Sequence, residues 1–464
     1  MAKNGWFDRL LALAHLRNIG PQAEVEGLVL SGGGARASFQ IGALRYLYAN
    51  KLVAPTKIAG TSAGSIIGSM LAQESEPDKQ EEQLKLLETY WLGMKDSSDM
   101  FAEQAWFTRL KAQWEEIAEV LPERVPEPTA VEADADDPEV AVKEAMKYDP
   151  STDSDFSVSM LWQAISVLPK IGRAGAGIAA TVRGAERAAS AYRPGSLIYR
   201  LLFESGWDKK AVSESGVELR MAFVGLNSGD LHFMRQDGII VDANDVPLSD
   251  QVHDLSLGLW ASCAIPGVFR PVKLGGEVYV DGGTRENIPV EMAVAKLGVT
   301  KPYVVVASPP GVPWEDYSAK DMVSTMMRTI SILMDESNRD EVAWARTAGA
   351  VVIEPRVDVH GALTVEPELL KINRDYGWMR AAEEVGGAPT FADELTRVRV
   401  ELYELGPDAP KGDRARVKAR IAALAAEVDP AWLPDDWGAK TPKPSKSGKG
   451  GKQESGQAAK TEKA

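Results

Sequence analysis

Twice before residue 75 the chain runs a short apolar stretch into glycine and then into a helical pattern, and that order most restricts its fold. Glu26-Gly27-Leu28-Val29-Leu30-Ser31 is apolar enough for a buried strand, and Gly32, Gly33 and Gly34 follow at once. Beyond them Ala37, Ile41, Leu44 and Tyr48 recur on one face of a helix. Lys57-Ile58-Ala59 is a second strand candidate leading to Gly60. Ala63 to Ala72 is a second helix, with Ile66, Ile67, Met70 and Leu71 inward. Repeated strand–turn–helix units imply an α/β fold, a sheet flanked by helices.

The alternation continues. Glu218 to Val224 reads as a strand, Asn227 to Asp230 as a turn, and Leu231 to Met234 as the return arm of a hairpin. Val278-Tyr279-Val280 is a strand ending at Asp281, while Tyr303 to Ala307 and Ala350 to Ile353 are buried-strand candidates. Between the last two, Met322, Val323, Met326, Met327, Ile330 and Leu333 form a helical face expected to pack in the core. The sheet-bearing region is thus expected over residues 25–355, with a helical or lid-like insertion over 78–200. Residues 80 to 120 within that insertion have a helical pattern, and the acidic, proline-bearing stretch Val125 to Asp149 has a solvated one. A C-terminal helical region is expected over 356–439, broken at Gly406-Pro407, then a flexible basic tail over 440–464.

Composition excludes some roles. The 464-residue chain carries a formal charge of -15, the wrong sign for a nucleic-acid binder. Its single cysteine, Cys263, lies in an apolar setting, is expected to pack rather than react, and fits a reducing, cytoplasmic compartment, although a cysteine-poor secreted protein would look the same. No stretch reaches 18 consecutive apolar residues, so no transmembrane helix is expected. Peripheral membrane contact keeps two routes: an amphipathic helix over residues 1–20 bearing Trp6 and Phe7, and the lysine-rich tail. The same helix would equally suit docking on the body of the protein.

Gly60-Thr61-Ser62-Ala63-Gly64 places a serine in a sharp turn between a strand and a helix. Such a turn projects the hydroxyl clear of the sheet, and glycines two positions to either side let the backbones close in. The run Gly32-Gly33-Gly34 costs backbone entropy that makes sense if amides must face a ligand. An oxyanion is such a ligand, and Gly33 and Gly34 are the candidate donors. Arg36 suits either fixing that loop or holding a phosphate. A permissive dinucleotide fingerprint also matches at Gly32, Gly34 and Ala37, but without the acidic ribose ligand, and no cofactor is expected. No cysteine–histidine cluster has metal-ligand spacing, so no metal site is expected either.

Two bases are open to Ser62. Asp281 ends a strand and opens Asp281-Gly282-Gly283-Thr284, so its carboxylate can face a pocket; Asn287, Pro289 and Val290 then lead into a helix closed by Gly298. Alternatively His360, in Asp358-Val359-His360-Gly361, would complete the order Ser62, Asp281, His360 of an α/β-hydrolase triad. His15, His232 and His253 follow no strand-end signal. A non-catalytic binding module that keeps the same glycine turns is the third reading.

Together, Gly32-Gly33-Gly34-Ala35-Arg36, Gly60-Thr61-Ser62-Ala63-Gly64 and Asp281-Gly282-Gly283 resemble the patatin-like phospholipase family, in its order. Ala261-Ser262-Cys263-Ala264-Ile265-Pro266-Gly267-Val268-Phe269 looks like the family's block before the aspartate, and Ala37 stands where the family commonly has glycine. The resemblance implies a Ser62–Asp281 dyad without histidine and an oxyanion hole from Gly33 and Gly34. It also implies acyl esters of phospholipids or related lipids as substrates. Gly32, Arg36, Gly60, Gly64, Gly282 and Gly283 would then be the supporting loop residues. Transfer of the acyl group to another alcohol would use the same intermediate.

Overall fold

The computed structural model describes residues 24–103, 192–203, 206–312, 314 and 322–437. The expected N-terminal helix, the basic tail and most of the 78–200 insertion lie outside them.

The strands are β1 Glu26–Leu30, β2 Lys57–Thr61, β3 Phe101–Glu103, β4 Tyr192–Pro194, β5 Glu218–Gly225, β6 Leu231–Arg235, β7 Ile239–Asp242, β8 Pro247–Val252, β9 Val272–Leu274, β10 Glu277–Asp281, β11 Lys301–Val305 and β12 Val351–Ile353. The helices are α1 Ser38–Ala49, α2 Ala63–Leu71, α3 Pro77–Leu92, α4 Ser196–Phe203, α5 Lys209–Glu214, α6 Leu255–Ser262, α7 Met322–Thr347, α8 Pro367–Val385, α9 Ala392–Glu404 and α10 Lys411–Ala426.

One sheet runs in the order β12-β11-β1-β2-β5-β6-β7-β8. Pairing is parallel from β12 to β5 and antiparallel from β5 to β8. The parallel strands are buried on both faces. Leu28 and Leu30 enter one apolar core and Val29 the other, which explains why β1 reads as an unbroken apolar run. The first core also receives Leu370, Tyr376 and Met379 from α8, which packs across α1.

β5 is the template for the site. β2 runs parallel along one edge of β5 and stops where Thr61 pairs with Ala222. β10 runs antiparallel from the other end and stops where Asp281 pairs with Phe223. Two strands therefore meet head to head on consecutive residues of a third, so Ser62 and Asp281, distant in sequence, begin their turns side by side.

Two expectations need correcting. The helical stretch expected from 80 to 120 is interrupted after Leu92, its part beyond 103 lying outside the described residues; Gly93 ends the helix, and Asp96 accepts the Ser98 amide to cap a short turn before β3. Leu333, expected in the core, is 66% exposed. From α7, Arg328, Ser331, Met334, Asp335 and Asn338 face the cavity over the sheet.

Candidate active site

A cavity of about 780 Å³ opens over the ends of β1, β2 and β10, and both Ser62 and Asp281 line it. That size suits a small-molecule site. Its apolar wall comes from Ile265, Pro266, Val312, Trp314, Met334 and Leu363.

Ser62 sits between β2 and α2 with φ 55° and ψ −123°, left-handed backbone that a non-glycine residue adopts at a cost of about 1–3 kcal/mol. Packing enforces it. A Cβ on Gly64 would lie 2.2 Å from the Leu30 carbonyl oxygen, and one on Gly60 would lie 2.7 Å from the Gly64 backbone, so only glycine permits this approach. A relay of hydrogen bonds holds the turn. The Ser62 amide donates to Ser262 Oγ (3.0 Å), Ser262 Oγ lies 2.8 Å from Ser65 Oγ, and Ser65 Oγ donates to the Gly60 carbonyl (2.9 Å). Ser262 is wholly buried at the end of α6.

The Ser62 side chain lies close enough to the Asp281 carboxyl to favour its ionised form, and the Gly283 amide donates to Asp281 Oδ1 at 2.8 Å. Burial pushes the carboxyl up to about 6, against the lowering effect of the Ser62 side chain and the Gly283 amide. A carboxylate so placed is a stronger base than a solvated one and is still ionised at neutral pH. Gly282 and Gly283 form the turn that follows, and Gly282 presses so closely on β5 that a Cβ there would lie 2.6 Å from the Ala222 carbonyl oxygen.

The glycine loop lies opposite. Gly32 donates its amide to the Asn287 carbonyl oxygen. Among the described residues, neither the Gly33 nor the Gly34 amide donates to a protein acceptor, and both residues line the cavity. Gly34 has φ 55°, and a Cβ there would lie 2.4 Å from the Ala362 carbonyl oxygen. Arg36 is committed to scaffolding. Its Nη2 grips both oxygens of Asp358 at 2.9 and 2.8 Å, and its Nε donates to the His360 carbonyl at 2.7 Å. Gln40, buried in α1, donates Nε2 to the carbonyls of Ser31 and Val305 and so pins the loop's first residue.

His360 is not joined to the pair. Its Nδ1 lies 3.0 Å from the Gly361 carbonyl oxygen, burial holds its imidazole below the usual value, and it hydrogen-bonds neither Ser62 nor Asp281. His232 instead places Nδ1 3.2 Å from Tyr279 Oη. Cys263 is buried, and burial first, then the Asp281 charge, pushes its thiol up. Among the described residues no group of His, Cys, Asp or Glu is arranged to hold a metal ion. Nor is any described helix long and apolar enough to cross a membrane.

Ser262, Gln40, Asp358 and Asn287 went unassigned in the sequence. Ser262 and Asn287 stand inside or just after recognisable blocks, so position could have flagged them; Gln40 and Asp358 gave no local signal.

The patatin-like phospholipase profile matches residues 28–294, more than half of the chain, and the chain belongs to that family. It therefore falls in the general class of patatin-like lipid hydrolases. No curated protein matches the chain significantly. Among solved structures it is similar to VipD from Legionella pneumophila, at 13% identity over 87% of this chain and 80% of that one, with a TM-score of 0.30. A human GIVD cytosolic phospholipase A2 in complex with methyl gamma-linolenyl fluorophosphonate is 14% identical over 76% of this chain and 47% of its own, with a TM-score of 0.27. The ExoU–SpcU heterodimeric complex of the Pseudomonas aeruginosa type III secretion system is 16% identical over 89% and 68%, with a TM-score of 0.24. TM-scores this low establish no shared architecture.

Proposed function

We propose that this chain is a serine lipid acyl hydrolase, of phospholipase A or lysophospholipase type, working through a Ser62–Asp281 dyad and an acyl-enzyme. Asp281 takes the Ser62 proton as Oγ attacks the acyl carbonyl, and the Gly33 and Gly34 amides receive the oxyanion. Collapse breaks the ester bond, and the leaving alkoxide takes the proton from Asp281. Water then attacks the acyl group on Ser62, and the acid and free serine are released. Gly32, Arg36, Gly60, Gly64, Gly282 and Gly283 hold the three turns in register.

The observation that supports this most is the placement of Ser62 against a buried carboxylate and beside two unspent amides, inside one cavity. The apolar wall suits an acyl chain. Trp314, on that wall and 88% exposed, is where a lipid surface would be met. An assay of fatty-acid release from phospholipids, lysophospholipids and short-chain esters, comparing wild type with S62A, tests the proposal. Release by wild type and none by S62A is expected. Equal release by both would remove Ser62 from the chemistry, and no release from any ester would favour a lipid-binding module.

A further inference from the structure

Asn287 stands over the dyad with one polar atom unspent. The residue is 3% exposed and lines the cavity. Its Nδ2 donates to Asn338 Oδ1 at 2.9 Å and more loosely to the Gly32 carbonyl at 3.5 Å. A carbonyl only accepts, so the contact with Gly32 fixes which way the amide faces. Oδ1 is left buried and accepts no hydrogen bond from any described residue. Its location follows from the glycines around it. A methyl built on Gly32 would lie 2.3 Å from Asn287 Oδ1 and 3.2 Å from Ser62 Cβ. One built on Gly283 would lie 3.0 Å from Asn287 Oδ1 and 3.2 Å from Asp281 Oδ1. The orphan oxygen therefore lies near both the serine and the carboxylate.

A buried acceptor is costly until a donor reaches it. An ester brings only acceptors to the reacting carbon, and no described donor, the Ser62 hydroxyl included, reaches Oδ1. The donor that arrives later is the water that cleaves the acyl-enzyme. We propose that Asn287 orients this water. One water proton passes to Asp281 while the oxygen bonds to the acyl carbon, and the second O–H donates to Asn287 Oδ1. The tetrahedral intermediate then breaks the bond to Ser62 Oγ, which takes the proton back from Asp281, and the carboxylic acid leaves. An attacking alcohol has one O–H, which must go to Asp281, so it leaves Oδ1 unpaired. Asn287 thus selects hydrolysis over transfer.

This rests on Ser62 as nucleophile, and the test keeps the two apart. With p-nitrophenyl butyrate as acyl donor in aqueous methanol, the ratio of butyrate to methyl butyrate is measured for wild type and N287A. Fluorophosphonate labelling is followed in parallel. N287A is expected to label within about threefold of the wild-type rate, yet to lower the water-to-methanol ratio by about tenfold. Normal labelling with an unchanged ratio overturns the role of Asn287 and leaves Ser62 standing; wild type that is never labelled overturns both. If N287A is not labelled, wild type alone decides. Methylamine, which keeps a second N–H, is expected to be accepted over dimethylamine, and equal acceptance refutes the proposal.

Discussion

Replacing Asp281 by asparagine is expected to make the protein more stable as it makes it inactive. The carboxyl is 5% exposed, and burial raises it from an ordinary value of 3.8 to about 6. The folded state thus binds a proton more readily than the unfolded one, and stability falls as pH rises through the window between those values. The cost is absent below about pH 4, roughly half present at pH 5 and complete above about pH 7. Keeping a carboxyl raised that far in its ionised form costs the folded state about 3 kcal/mol. Asparagine keeps the shape, the acceptor for Gly283 and a partner for Ser62, but carries no charge. D281N should therefore exceed wild type by about 3 kcal/mol at pH 8, roughly 3 °C in melting temperature for a chain of this size, and by about half of that at pH 5. Differential scanning fluorimetry at the two pH values reads the contrast. A variant less stable than wild type at pH 8, or offset equally at both, would refute the burial argument.

Three further outcomes follow from the site. H360A should keep ester hydrolysis within about threefold of wild type, because its imidazole joins neither Ser62 nor Asp281; a dead, folded variant would restore the triad. S262A strands the buried Ser62 amide, so steady-state kinetics should show a kcat loss of about tenfold or more with KM little changed, from an unmet donor worth about 1–3 kcal/mol. R36K gives up the paired grip on Asp358, and chemical denaturation should read a loss of about 1–2 kcal/mol, with R36K and D358N non-additive when combined.

The parallel half of the sheet was legible because its strands are buried on both faces and write themselves as apolar runs: Leu28-Val29-Leu30 feeds both cores. The turns were legible because Gly60 and Gly64 stand where a side chain would collide with backbone. What local sequence could not carry was register. Nothing near Asp281 announces that its strand ends beside Thr61, since that meeting depends on β5, which both strands flank. Arg36 likewise read equally well as a phosphate ligand until Asp358 came into reach from far along the chain. The helical period over residues 322 to 333 was real, but period alone does not say which face meets solvent, and Leu333 turned outward.

The pairing of hydroxyl with carboxylate is tested most directly by the rate at which an alkyl fluorophosphonate modifies the protein across pH, with the adduct mapped by peptide mass spectrometry. Modification confined to Ser62, rising through an inflection near pH 6 in wild type and slowed and flattened in D281N, is the predicted result. An adduct on another residue, or D281N reacting at the wild-type rate with the same inflection, would contradict it.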